Sequence, residues 1–158
     1  MKQTQNTLIY ILEDDEWYAN MLEYYLLLNP DNIVKKFFTA KDLLTQIHNK
    51  PDVITLDYSL GDANGNEVLK KIKEFDADIE VIIVSGQDDI NTAVKLIKEG
   101  AFDYIVKNDE TKERLWSVLT HLSKIKQLKK QVEVLKKEIK KNYDFSKVII
   151  GQSDAIKK

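Results

Sequence analysis

Short apolar runs alternate along the chain with segments whose apolar residues recur at helical spacing. The runs at residues 8–12, 33–38, 53–56, 79–84 and 104–106 are followed by amphipathic stretches at 17–28, 40–48, 67–75 and 90–99 and by a long helix starting near Thr111. Five strand-helix units in succession predict an α/β fold, a five-stranded doubly wound parallel sheet with helices on both faces. The first, third and fourth runs are nearly continuous in Ile, Val and Leu, as strands buried on both faces are. Asn32-Ile33-Val34-Lys35-Lys36 instead reads as an edge. Pro30, Pro51, Gly61, Gly65, Gly86 and Gly100 all fall between the periodic segments, where the chain must turn.

The last helix outruns the pattern of a compact domain. From Val118 onward, Ile125, Leu128, Val132, Leu135 and Ile139 follow alternating steps of three and four residues, the seam of a coiled coil, with His121 and Asn142 at weaker seam positions. Lys124, Lys126, Lys129, Lys130, Lys136, Lys137, Lys140 and Lys141 lie off that stripe. A homodimer of parallel helices is the expected use. Such lysines would also suit a nucleic-acid backbone, whose binding is strongly salt-dependent. On a coiled coil they read first as a solvated face. After Asn142 the helical pattern gives way to Tyr143-Asp144-Phe145-Ser146, which reads as the start of another domain. The expected division is a domain at 6–123, a coiled-coil linker helix at 124–142 and the truncated opening of a further domain at 143–158.

Composition narrows the chemistry more than the fold. With 43% apolar residues, 32% charged residues and a net charge of -2, the chain reads as a soluble globular protein with no overall bias toward nucleic acid. The absence of cysteine excludes disulfides, thiolate metal sites and a cysteine nucleophile. No segment is apolar enough to span a bilayer, and the amino terminus lacks a signal-peptide pattern. A cytoplasmic location is the default expectation.

Residues just beyond the carboxyl ends of parallel strands gather in one crevice. Asp57 closes the run Val53-Ile54-Thr55-Leu56, Glu13-Asp14-Asp15 follow the first run, Ser85 closes Val81-Ile82-Ile83-Val84, and Lys107 follows Tyr104-Ile105-Val106. Each has an ordinary explanation by itself: acids favour a helix's positive end, aspartate and serine shape turns, and a lysine is usually solvated. Independent accidents would seldom place all four at the tips of the first, third, fourth and fifth strands. Carboxylate oxygens suit Mg²⁺, and a facing lysine can neutralise a phosphoryl group. The expected chemistry is phosphoryl transfer onto Asp57 as nucleophile.

The acidic cluster allows two registers. Counting from Asp14, later positions at helical spacing are Tyr18, Met21, Leu22 and Leu26, an apolar face, whereas counting from Asp15 puts Glu23 on that face. Glu13 and Asp14 are therefore the favoured pair, with Asp15 supporting or merely exposed. Ser59 lies in the glycine-containing loop after Asp57 and is placed to bring a backbone carbonyl toward a cation. Tyr104 is either a half-buried strand aromatic or a rotamer switch linked to Ser85; both readings stay open.

Glu13-Asp14, Leu56-Asp57, Val84-Ser85-Gly86 and Gly100-Ala101-Phe102-Asp103-Tyr104-Ile105-Val106-Lys107 together resemble the receiver domain of two-component response regulators, across about residues 6–123. The resemblance implies a flavodoxin-like fold in which Asp57 takes a phosphoryl group from a sensor histidine kinase or phosphotransfer protein. It implies that Glu13, Asp14, Asp57 and the Ser59 carbonyl hold Mg²⁺, that Ser85 and Lys107 bind phosphoryl oxygens, and that Tyr104 turns inward on activation. Ser59 and Gln87 match the family's variable positions that tune acyl-phosphate lifetime. Asn108 follows Lys107 where the family commonly has proline, and Gly61 stands where a loop proline is frequent.

Residues 145–158 resemble the opening of the central ATPase domain of sigma-54-dependent, nitrogen-regulator-C-like transcriptional activators. No Gly-rich phosphate loop and no helix-turn-helix is present, so neither ATP hydrolysis nor direct DNA binding is expected of this chain. The resemblance thus implies a phosphoacceptor switch, at most catalysing its own phosphorylation and dephosphorylation. The alternative is a haloacid-dehalogenase-like small-molecule phosphatase. That chemistry often uses a second aspartate two residues past the nucleophile, where this chain has Ser59.

Overall fold

The computed structural model describes residues 6–157, and the side chains of 6–144. The elements alternate as the apolar pattern requires: β1 (Thr7–Leu12), α1 (Glu16–Leu26), β2 (Asn32–Phe37), α2 (Ala40–Thr45), β3 (Val53–Leu56), α3 (Gly65–Phe75), β4 (Glu80–Ser85), α4 (Ile90–Lys98), β5 (Asp103–Val106) and α5 (Thr111–Lys157). All pairings are parallel, in the order β2-β1-β3-β4-β5. The three runs richest in branched aliphatics are the interior strands, and the lysine-bearing β2 is an edge.

Four helices start where a short polar side chain can accept an otherwise orphaned backbone N–H. Asp15 accepts from Trp17 N and Tyr18 N, Thr39 from Asp42 N, Asn64 from Asn66 N and Asp89 from Asn91 N. Helix α4 ends at Gly100, whose φ of 116° lets the chain reverse while Ala101 N bonds back to Leu96 O. One element is shorter than its sequence pattern. The stretch 40–48 divides into α2 and a 3-10 turn at Ile47–Asn49. The Thr45 hydroxyl donates to Asp42 O, and the Tyr10 hydroxyl takes the Gln46 carbonyl, so the α-helical ladder has no reason to continue.

Alternation along the strands divides the apolar side chains between the two faces. Tyr10, Leu12, Ile54, Leu56, Val81, Ile83 and Tyr104 pack in one buried cluster with Leu43 of α2, Leu69 and Ile72 of α3 and Leu96 of α4. Ile9, Ile11, Ile82 and Ile105 are equally buried but lie outside that cluster, as do Ala19, Leu22 and Leu26 of α1. Tyr25 of α1 meets Trp116 edge-on at 5.7 Å between ring centroids, which docks the first turns of α5 beside α1.

The chain divides into two compact units between Trp116 and Ser117, within α5. In the second unit the expected seam is exposed: Leu128, Val132, Leu135 and Ile139 keep 59, 48, 54 and 66% of their surface accessible. The helical backbone runs on past Asn142, where the seam pattern stops. Apart from Tyr143 and Asp144, the expected opening of a further domain at 143–158 lies outside the residues whose side chains are described.

Candidate functional site

Parallel register delivers the sequence-predicted residues to one end of the sheet. Glu13 and Asp14 follow β1 and Asp57 follows β3, its N–H bonded to Leu12 O at 2.9 Å. Ser85 ends β4 and Lys107 follows β5, with Lys107 N bonded to Ser85 O at 2.7 Å. Carboxylate oxygens of Glu13, Asp14 and Asp57 lie within 4.8 Å of one another. The Lys107 ammonium donates to Glu13 Oε1 and stands 3.8 Å from Asp57 Oδ2. Glu13 and Asp57 are buried, at 2 and 6% exposure, while Asp14 is exposed.

Burial and proximity act together on the charges. Burial, the hydrogen bond to Asp57 and its negative charge push the Glu13 carboxyl from 4.5 up to about 8, against the pull of Lys107. Burial raises Asp57 as well, opposed by its bond with Glu13, the Lys107 charge and the Ser59 N–H. Burial disfavours the Lys107 cation, but the hydrogen bond to Glu13 and the two carboxylates outweigh it and raise that pKa. Buried acids of like charge facing one lysine are a donor set for a hard cation: oxygen ligands, excess negative charge and one exposed member through which solvent reaches the cluster. The residues fit a divalent ion such as Mg²⁺.

Asp15, left open by the sequence, caps α1 with its carboxylate, while its own N–H bonds Glu13 Oε2 at 3.2 Å. Its side chain is thereby committed to the helix. The Ser59 N–H reaches Asp57 Oδ1 at 3.3 Å, and Ser59 pairs with Asn64 across the base of the loop. That loop closes tightly. Gly65 N bonds Tyr58 O at 3.0 Å, and a Cβ at Gly65 would come within 2.9 Å of Tyr58 Cα.

Tyr104 faces inward: it is 8% exposed, and its hydroxyl donates to Gln87 O at 2.7 Å. Ser85 is fully buried, and its hydroxyl accepts the Gln87 N–H at 3.1 Å. The backbone of Gln87 therefore joins the two hydroxyl-bearing candidates. No peptide among the described residues is cis, the Lys107–Asn108 bond included.

Three contributors were not singled out from the sequence. The Tyr18 ring lies under the Lys107 ammonium, 4.3 Å from its centroid; the sequence placed Tyr18 only on the apolar face of α1. The Asp62 carboxylate accepts Ala40 N at 3.0 Å and Lys41 N at 3.4 Å, tying the loop after Asp57 to the start of α2. Thr111 accepts Asn108 N at 2.8 Å and donates to Val106 O at 3.0 Å, fixing the chain past Lys107.

The model of the response regulator receiver domain matches residues 9–120. The chain belongs to that family. It is 31% identical over 123 residues to the DNA-binding transcriptional regulator NtrC of Proteus hauseri, covering 75% of this chain and 26% of that one. It is 33% identical over 115 residues to the transcriptional regulatory protein KdpE of Staphylococcus aureus, covering 68% of this chain and 47% of the relative. NtrX from Brucella abortus superimposes with a TM-score of 0.73 at 27% identity, over 84% of this chain and 30% of its own. The chain thus spans half or less of the length of each.

Receiver domains are the phosphoacceptor switches of two-component systems, and membership of that family implies a histidine kinase or other phosphodonor. Receiver domains bind Mg²⁺, and the cluster of Glu13, Asp14 and Asp57 is able to hold a metal ion. Similar solved structures include the BeF3-activated DrrB receiver domain, 26% identical over 76% of this chain, and the signal receiver domain of a LuxO repressor protein from Vibrio parahaemolyticus, 29% identical over 78%, which are receivers and not haloacid-dehalogenase-like phosphatases. Among the described residues no helix is long and apolar enough to cross a membrane.

Proposed function

We propose that Asp57 is the residue phosphorylated, and that Lys107, Ser85 and Tyr104 convert that event into a change at the β4 and β5 ends of the sheet. The observation that carries this reading is the Lys107 ammonium set between Glu13 and Asp57, 3.8 Å from the latter, reaching over the tip of β4 from β5 to the ends of β1 and β3. An Asp57 carboxylate oxygen attacks phosphorus, the bond to the donor's imidazole nitrogen breaks, and the imidazole leaves with its electron pair. Glu13, Asp14, Asp57 and the Ser59 carbonyl would hold Mg²⁺, which when bound offsets repulsion between the carboxylates and the incoming phosphoryl group.

Lys107 neutralises a phosphoryl oxygen. The Ser85 hydroxyl donates to another, which draws it from the Gln87 N–H and disturbs the loop that also receives the Tyr104 hydroxyl. The new charge shifts the equilibrium by its different interaction energy with the two arrangements. No turnover of external substrate is involved.

The cognate donor is a sensor histidine kinase or phosphotransfer protein in the cytoplasm. The output is control of a transcriptional activator of the sigma-54-dependent class, of which this chain is the regulatory part. Support comes from the residues at 145–158 and from the similarity to NtrC. Two copies pair through the exposed seam from Ile125 to Ile139, and DNA is bound by other parts of the activator.

The test is labelling with acetyl phosphate or kinase in Mg²⁺, read by intact mass. Asp57→Asn is expected to lose the added phosphoryl group completely, and beryllofluoride to change the mass in solution by light scattering. Undiminished labelling of Asp57→Asn, or release of phosphate from a small ester at many equivalents per chain, overturns the assignment.

A further inference from the structure

Lys107 is held from three sides, and only two of them are acidic. Glu13 accepts its hydrogen bond and Asp57 stands 3.8 Å away, while the third side is the face of the Tyr18 ring. At 4.3 Å from the ring centroid the ammonium is well inside the range of cation–π attraction. The ring is not free to drift. Asp15 accepts the Tyr18 N–H at 3.4 Å and gives its own N–H to Glu13, so the turn that carries the acids also sets the tyrosine. The phenol oxygen is buried and lies beside the Thr111 hydroxyl at the start of α5.

The three neighbours differ in what else they can bind. A carboxylate that accepts a cation or carries a phosphoryl group has less charge to offer the lysine, whereas an aromatic face is neither protonated nor esterified by the same events. We propose that Tyr18 is a positioning residue for phosphoryl transfer: its ring face keeps the Lys107 ammonium directed at Asp57 while Glu13 and Asp57 are engaged elsewhere. This rests on the reading of Asp57 and Lys107 given above. A tyrosine that merely fills the apolar face of α1 would depend on size and shape; a positioning ring depends on the electron density of its face.

Phenylalanine and its mono-, tri- and pentafluorinated analogues at position 18 separate the two, because fluorination withdraws density from the ring with little change in shape. Asp57 labelling by acetyl phosphate should persist in Tyr18→Phe and slow stepwise across the fluorinated series, by about three- to tenfold at the end of it. Thermal unfolding checks that each variant folds. Independently of any reaction, the Lys107 ε-methylene protons should resonate upfield in the unsubstituted chain and in Tyr18→Phe and lose that shift in Tyr18→Leu. Equal labelling rates throughout the series, or an unshifted Lys107, overturns the inference while leaving Asp57 as phosphoacceptor. Failure of the unsubstituted chain to label at Asp57 overturns both.

Discussion

The crevice at the sheet end and the α5 segment after Trp116 depart from ordinary protein surfaces in opposite directions. In the first, Glu13 and Asp57 are nearly fully buried though both are acids. In the second, Leu128, Leu135 and Ile139 are more than half exposed though all are aliphatic. Buried charge is costly unless it is paired, and a continuous apolar stripe in water marks a surface that another molecule covers. The receiver unit spends stability on chemistry at a point; the helical unit leaves apolar area for association along a line. Perturbing one should therefore be read in phosphorylation and metal binding, and perturbing the other in molecular mass.

The largest expected effect is on the helix. Leu128→Lys with Leu135→Lys places two cations on the proposed seam and should convert a dimer to a monomer by light scattering, while Asp57 labelling by acetyl phosphate stays at its normal rate. A dimer that survives removes the seam from the comparison. Next comes the metal at the crevice. Because Glu13 is raised from 4.5 to about 8, the folded chain holds that proton more tightly than the unfolded one, so its contribution to stability falls as pH rises through that window. Asp57 is shifted in the same direction. Mg²⁺ should therefore raise Tm more at pH near 8 than near 6, since protons compete with it less, and Glu13→Gln should flatten the metal-free decline. Equal shifts at both pH values would remove the buried-charge side of the contrast.

Two smaller effects sharpen the boundary of the crevice. Gly65→Ala forces a methyl against Tyr58 backbone and should cost about 1–3 kcal/mol in urea unfolding, with Mg²⁺ affinity reduced because the Asp57 loop must shift. Asp62→Ala frees the N–H groups of Ala40 and Lys41 and should cost about 1 kcal/mol, the value of a lost helix cap, without changing the mass in solution. If Asp62→Ala leaves stability unchanged, the loop after Asp57 is not anchored through α2.

Most of the fold was legible because parallel strands buried on both faces need unbroken aliphatic runs, and Val53-Ile54-Thr55-Leu56 or Val81-Ile82-Ile83-Val84 have few other uses. The convergence of Glu13, Asp14, Asp57 and Lys107 was legible for a related reason: strand order fixes which tips are neighbours. The contacts that sequence hid are those with no local period. Asp62 caps a helix that begins 22 residues earlier, and Tyr10 of β1 ends α2 by donating to the Gln46 carbonyl. The inward pose of Tyr104 needed the register of β5 against β4, which a run of three apolar residues leaves undetermined. Tyr18 looked like core because an aromatic that packs and an aromatic that receives a cation have the same helical spacing.

Gln87 has its N–H on Ser85 and its carbonyl on Tyr104, and it follows Gly86, around which a side chain would meet open space. These two groups belong to successive peptide planes joined at one Cα. Under the switch proposed above, the Gln87 main chain is the link through which a pull on the serine would reach the tyrosine.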